Sequence, residues 1–271
     1  MPWTKLKNII LFILVVANLA LLALVAGPAI RSRRGERQAR EDAIRLLQSR
    51  GVQVEDSDIP ERVTLLPRTV ERDLTVEERA AAALLDGPVT AEARGGEVYR
   101  YFNENGYIQF HSDGALSARL EPGRFFLGED VAAGCTAIME KLGVSGTVVG
   151  ETETEVLFRQ TWEGRPLFTQ QVTLVREDGC LTAIANGRQL VGRPQEDAGR
   201  KTVSVATALI DFLNGVNALG DVCSRIDAIE PGYVAAVSLS GPTTLTPVWR
   251  VITDTGAYQV DAVTGGVTRV P

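Results

Sequence analysis

Eighteen consecutive residues near the start of the chain, Ile9 to Ala26, carry no charge and one polar side chain, Asn18. As a helix rising about 1.5 Å per residue the run covers about 27 Å, close to the roughly 30 Å hydrocarbon core of a bilayer. Lys5 and Lys7 precede it, Trp3 supplies an interfacial aromatic, and Gly27-Pro28 closes the helix. A cleaved secretory leader is the competing reading. Its apolar core usually runs about 7–15 residues, and the best small-x-small site here, Gly27-Pro28-Ala29, contains a proline. The expectation is an uncleaved anchor over residues 9–30, with residues 1–8 as a cytoplasmic tail. Counting positive charges alone, Arg31, Arg33, Arg34, Arg37 and Arg40 would hold the long carboxyl side in the cytoplasm. Long domains cross largely regardless of flanking charge, so the expected arrangement is a single-pass protein of the cell membrane, amino terminus cytoplasmic and remainder extracytoplasmic. Asn18 is the candidate contact with a second membrane helix, a hydrogen bond worth about 0.6–2 kcal/mol. The plainer alternative is a lone asparagine tolerated in a very apolar span.

Beyond the span, 45% apolar and 23% charged residues in 271 make a globular composition with room for two or three units. A net charge of -6 argues against nucleic acid as a partner. Three cysteines and one histidine leave little for a disulfide framework or a histidine-based metal site. Phosphate loop, dinucleotide fingerprint, serine nucleophile elbow and metal-ligand spacing are all missing from the sequence. The expectation is a chain with no cofactor, no metal and no catalytic residue, a binding or regulatory module rather than an enzyme.

The sharpest enzymatic alternative is a cysteine transpeptidase of the sortase type, which uses His, Cys and Arg in the order offered by His111, Cys180 and Arg188. A thiolate needs a nearby cation. The sortase Thr-Leu-x-Thr before the cysteine is replaced by Arg176-Glu177-Asp178-Gly179, with two acids beside the thiol. His111 reads as a surface imidazole, Cys135 as core on a helix face, and Cys223 as core or edge; a Cys180–Cys223 disulfide stays open in an oxidising compartment. Glu151, Glu153 and Glu155 read as the solvent face of a strand, and Asp254 and Asp261 as flanks of a hairpin.

The element pattern is α+β. Gly35 to Arg50 is expected as a membrane-proximal helix with Ala39, Ala43, Leu46 and Leu47 on one face and Glu36/Arg40 and Glu41/Arg45 as i,i+4 pairs. Thr75 to Glu78 reads as a capping box opening an alanine-rich helix. Further helices are expected from Asp130 to Leu142 and around Val203 to Leu213. Strands are expected at Val98–Phe102, Tyr107–Phe110, Glu155–Trp162, Leu167–Val175, Leu181–Ala185, Ile226–Ile229, Tyr233–Ser238, Leu245–Thr253, Ala257–Asp261 and Val267–Val270. A helix followed by antiparallel strands thus recurs about three times. Gly106, Gly179 and Gly256, 73 and 77 residues apart, suggest a degenerate repeat. The boundaries drawn are an N-terminal α+β region over 31–122, a central unit over 123–195 and a C-terminal unit over 196–271.

Two blocks carry a family resemblance. Trp162-Glu163-Gly164-Arg165-Pro166-Leu167-Phe168, followed by Val172 to Val175 and Glu177-Asp178-Gly179, resembles the aromatic-x-Gly-x-Pro-apolar-Phe block of YycI-type regulatory proteins. Pro247-Val248-Trp249-Arg250-Val251 with Tyr258 to Gly265 resembles the end of that family and of PepSY-like domains. Trp3, Lys5 and Lys7 before a single span fit as well. The resemblance implies a membrane-anchored regulator whose partners are the sensor histidine kinase of a cell-wall-homeostasis two-component system of Gram-positive bacteria and a YycH-like sister protein, touched through membrane helices and outer domains. It also implies a PepSY-like C-terminal unit; the strand pattern beside it expects Trp249, Val251, Tyr258 and Val260 inward, covering the helices, with turns and edge strands left for docking. Alternatives from other classes are a PepSY-like module that holds a peptide, inhibits a protease or senses a wall fragment, and the sortase-like enzyme.

Overall fold

Asp73, Asp130 and Ser204 each turn a side-chain oxygen onto a backbone N–H two or three residues ahead and so start a helix. In this computed structural model, which describes residues 35–60, 63–188, 190–197, 199–238 and 241–270, these are α2 (Leu74–Leu84), α3 (Val131–Lys141) and α4 (Val205–Leu219), after an α1 spanning 35–49. The 9–30 span and Asn18 lie outside the described residues. Among the described residues no helix is long and apolar enough to cross a membrane.

Strands β1 (Arg68–Val70) and β10 (Gln195–Glu196) are short; the others follow helices. After α2 come β2 (Thr90–Ala93), β3 (Tyr99–Asn103), β4 (Gly106–Phe110) and β5 (Ala115–Leu120). After α3 come β6 (Gly146–Glu151), β7 (Glu155–Trp162), β8 (Arg165–Glu177) and β9 (Cys180–Arg188). After α4 come β11 (Ile226–Ala236), β12 (Thr243–Thr253), β13 (Gly256–Asp261) and β14 (Val267–Val270). Each set is an antiparallel meander. The first joins the second through antiparallel β5 and β9, with Ala118 opposite Ile184. The second joins the third through parallel β8 and β11, where Tyr233 meets Leu167. The result is an α+β chain with four described helices and one mixed fourteen-stranded sheet.

Two apolar cores lie on the same face of that sheet. Val156 and Phe158 of β7 belong to the core under α2 and α3 with Ile138, Met139 and Tyr101. Further along that face of β7, Trp162 packs against the second core, beneath α1 and α4, which holds Leu47, Phe212, Trp249, Val251, Tyr258 and Val260. The last four were expected inward, and each is at most 1% exposed. Where β8 and β11 meet, a Cβ on Gly232 would fall 2.6 Å from both the Phe168 ring and the Pro166 carbonyl, so only glycine permits the approach.

Several local expectations change. The buried face of α1 is Arg40, Ala43 and Leu47, with Ala39 and Leu46 exposed. The Arg40 guanidinium donates to Ile59 O at 2.8 Å and to Asp56 O, and pairs with the Asp56 carboxylate at 3.1 Å, tying α1 to the loop below it. Arg45 pairs with Asp42, one residue nearer than Glu41. Helix α2 is capped by Asp73 rather than Thr75, because the Asp73 carboxylate accepts from the Thr75 N–H at 2.8 Å. Ile226 to Ala236 is one strand running through Pro231-Gly232. Glu151 ends β6, Glu153 sits in the turn and Glu155 opens β7, so they form no ladder on one face. Gly106 and Gly256 start the third strand of their meanders with φ of +133° and +141°, whereas Gly179 lies in the turn before a fourth strand. The corresponding glycine of the middle meander is Gly164.

Candidate functional site

The Trp162–Phe168 block forms the β7–β8 hairpin, with Glu163 and Gly164 at φ of 49° and 74° making the tight turn. Leu167, 1% exposed, enters the core beneath α4. Its neighbour Phe168 points the other way, onto the sheet face opposite the helices, where it lies against Gly232. The second block places Trp249 in the core and turns Arg250 to that same outer face, its guanidinium carbon 5.0 Å from the Phe168 ring centroid. The two blocks therefore touch at one point on the open side of the β8–β11–β12 junction. Beside them Arg159 of β7 donates to Gln171 Oε1 from Nε at 2.7 Å and from Nη2 at 2.9 Å. Burial and then the Arg250 charge weaken the hold of Arg159 on its proton.

Before α2, Arg72 grips Glu77 with Nε–Oε1 of 2.6 Å and Nη2–Oε2 of 3.1 Å. It also donates to the Glu97 carbonyl at 2.8 Å and sits 5.3 Å from the Tyr99 ring centroid. Burial pulls the Arg72 guanidinium down, but the hydrogen bond and charge of Glu77 outweigh it and leave it raised. Tyr101 donates to Leu74 O at 3.3 Å, and burial pushes its phenol up to about 12. Sequence reasoning passed over this pair, although Glu77 lies i,i+3, i,i+4 and i,i+7 from Ala80, Ala81 and Leu84 on the inward face. Nearby, a groove of about 850 Å³ runs from the start of α2 to the end of α3, with Arg79, Lys141 and Arg193 along it.

His111 lines a small cleft with Arg72, Glu77, Leu190 and Thr243. Its backbone N–H donates to Ala115 O, and Ala115 is paired with Arg188 at the far end of β9. Cys180 opens that strand. Eight residues at about 3.3 Å each put the thiol about 26 Å from Arg188, which pairs instead with Asp113 at 3.4 Å. The fold thus brings His111 and Arg188 together and leaves Cys180 apart, so the transpeptidase trio is not assembled. All three thiols are buried and free, and the Cys180–Cys223 bond is not formed. Burial pushes Cys135 up to about 11; burial and the Asp254 charge raise Cys223. The Ser224 hydroxyl donates to Asp254 and, helped by the Arg225 and Ser224 N–H groups, holds its carboxyl below the usual range. Asp261 accepts from Val263 and Thr264 in the following turn. Among the described residues no group of three or more His, Cys, Asp or Glu is placed to hold a metal ion.

No family model matches the chain. No curated protein matches it. Among solved structures, an uncharacterized protein from Eubacterium rectale ATCC 33656 is similar at a TM-score of 0.41 and 12% identity, over 77% of this chain and 86% of that one.

Proposed function

We propose that this chain is a non-catalytic, membrane-anchored regulator that alters the output of a sensor histidine kinase by contact, alongside a YycH-like sister protein. In this reading residues 9–30 are the anchor, Asn18 its contact with a partner helix, and the described residues the extracytoplasmic part. The three helix-plus-meander sets are then related copies of one unit, the last of them PepSY-like. The observation that carries the reading is the contact of Arg250 with Phe168. Two blocks about 80 residues apart, each resembling YycI-type sequences, meet at a single junction. The alternation of α and β elements supports the repeat, as does the shared hairpin chemistry of the outer sets. Asn103 Oδ1 accepts from the Asn105 N–H at 2.8 Å, and Thr253 Oγ1 accepts from the Thr255 N–H at 3.2 Å, each just before the turn glycine.

The test is deletion of the gene with measurement of the phosphorylated fraction of the response regulator. A change of severalfold is expected, restored by the full chain but not by a chain lacking residues 9–30. An unchanged fraction overturns the reading.

A further inference from the structure

We propose that β2 is the edge at which a second copy of this chain joins the sheet, antiparallel, about a two-fold axis at Ala93. This deepens the contact-regulator reading by naming a partner, and rests on it for the anchors that hold two copies in one membrane.

Among the described residues four strands have a neighbour on one side only, β2, β6, β10 and β14. An open edge leaves a row of unpaired N–H and C=O groups. Three of the four edges are blunted. β6 carries the Val148/Gly150 bulge, β10 is two residues long, and Arg269 of β14 is already held by Asp221 and the Thr255 carbonyl. β2 is regular, with four unbroken pairs to β3 and every residue exposed.

The Arg94 N–H donates to Val98 O at 2.9 Å, in step with the Glu92–Arg100 and Thr90–Phe102 pairs. Even-numbered residues therefore aim their backbone groups at β3, and Ala91 and Ala93 aim theirs outward. A partner strand must set odd residues against odd ones. Tyr101, in the core, lies opposite Ala91. Ala91 and Ala93 thus share the helix side of the strand, and Glu92 and Arg94 the open side.

Charge selects a second copy and its register. A two-fold centred on Glu92 would join both alanines but set Glu92 against Glu92, which is destabilising. One centred on Ala91 sets Glu92 against Thr90 and Arg94 against Pro88. Centred on Ala93, Glu92 of each copy faces Arg94 of the other, and the residue on the axis is an alanine. Within each copy Arg94 already pairs with Glu92 at 3.1 Å, so the four side chains close a ring of alternating charge. The other charged groups nearby stay outside that ring. Asp86 is paired with Lys141, Glu97 lies beyond the Gly95-Gly96 turn, and Arg100 turns to the Tyr107 ring on β4 at 3.9 Å. The same axis, perpendicular to the sheet, keeps α1 of both copies on one face, so both chains can enter the same membrane. Two four-residue strands bury much less than the roughly 1,200–2,000 Å² of a stable interface. The pair therefore needs the effective concentration that two anchors in one bilayer supply.

The test uses the full chain in membrane vesicles, carrying Ala93→Cys or Ala91→Cys and oxidised with copper–phenanthroline. The unsubstituted chain, its three thiols buried, gives the background. Across the axis the Ala93 Cα atoms lie about 5.5 Å apart, within disulfide reach. The two Ala91 positions are offset by four residues, about 14 Å. A disulfide-linked dimer from Ala93→Cys, and background from Ala91→Cys, is expected. Glu92→Arg or Arg94→Glu should each cut that dimer at least about fivefold, and the two together should restore it. No Ala93→Cys dimer, equal dimers from both positions, or a dimer indifferent to the charge series overturns the proposal. Sedimentation with the vesicles reads the anchor separately. A dimer that obeys the charge series in a chain that does not sediment sustains the pairing and removes the anchor; the same dimer with response-regulator phosphorylation unaffected by gene deletion sustains it and removes the kinase reading.

Discussion

The Arg250 guanidinium lies over the Phe168 ring, 5.0 Å from its centroid, where the second and third meanders share an edge. Gly232 is what makes room beneath the ring. Removing the ring takes away 8%-exposed apolar surface, and Phe168→Ala is expected to cost about 3 kcal/mol. Arg250→Ala should cost about 1 kcal/mol, and a double-mutant cycle by urea unfolding should return a coupling of about 0.5–1 kcal/mol.

Gly232→Ala adds a methyl group with no space to occupy, so the β8–β11 seam must open. A loss of about 1–3 kcal/mol is expected, with hydrogen exchange rising at Leu167 and Tyr233. Gly164→Ala has nothing within 4 Å of its added carbon. It should report only the strain of its positive φ, about 1 kcal/mol.

Arg40 is 8% exposed and is the hinge pin between α1 and the 55–59 loop. Arg40→Ala strands the Ile59 carbonyl and loosens α1, with an expected cost of about 2–3 kcal/mol. Limited proteolysis between residues 50 and 60 should accelerate while cleavage elsewhere does not change.

Cys135 and Tyr101 are acids held in their neutral forms by burial. Their folded values lie above the unfolded ones, so the stability they contribute is complete at lower pH and is lost as pH rises. The window runs from 9.0 to about 11 for Cys135 and from 10.0 to about 12 for Tyr101. Melting temperature should therefore fall between pH 9 and pH 12. Cys135→Ala should flatten the lower part of that fall and Tyr101→Phe the upper part.

Strands with alternating or strongly apolar patterns were legible: Glu155–Trp162 and Val267–Val270 match their expected bounds. Those without a strong pattern were not. In β2, Thr90 to Ala93 is exposed throughout, and β6 reads Gly-Thr-Val-Val-Gly-Glu with a bulge at Val148/Gly150. Pro231-Gly232 looked like a break because a proline usually marks an edge and a glycine a turn. Here the pair serves a close crossing that only the third dimension reveals. Arg40 misled the α1 face because a buried guanidinium needs carbonyl partners far along the chain, and no periodicity encodes them. For the site, the two motif blocks were legible as hairpins, but their meeting at Arg250 and Phe168 was not.

Contact regulation is tested most directly by reconstituting the full-length sensor kinase in vesicles with and without the full chain and timing kinase autophosphorylation. A severalfold change in rate, lost when residues 9–30 are removed, is the expected result. An identical rate with the chain present at excess and correctly oriented would contradict it.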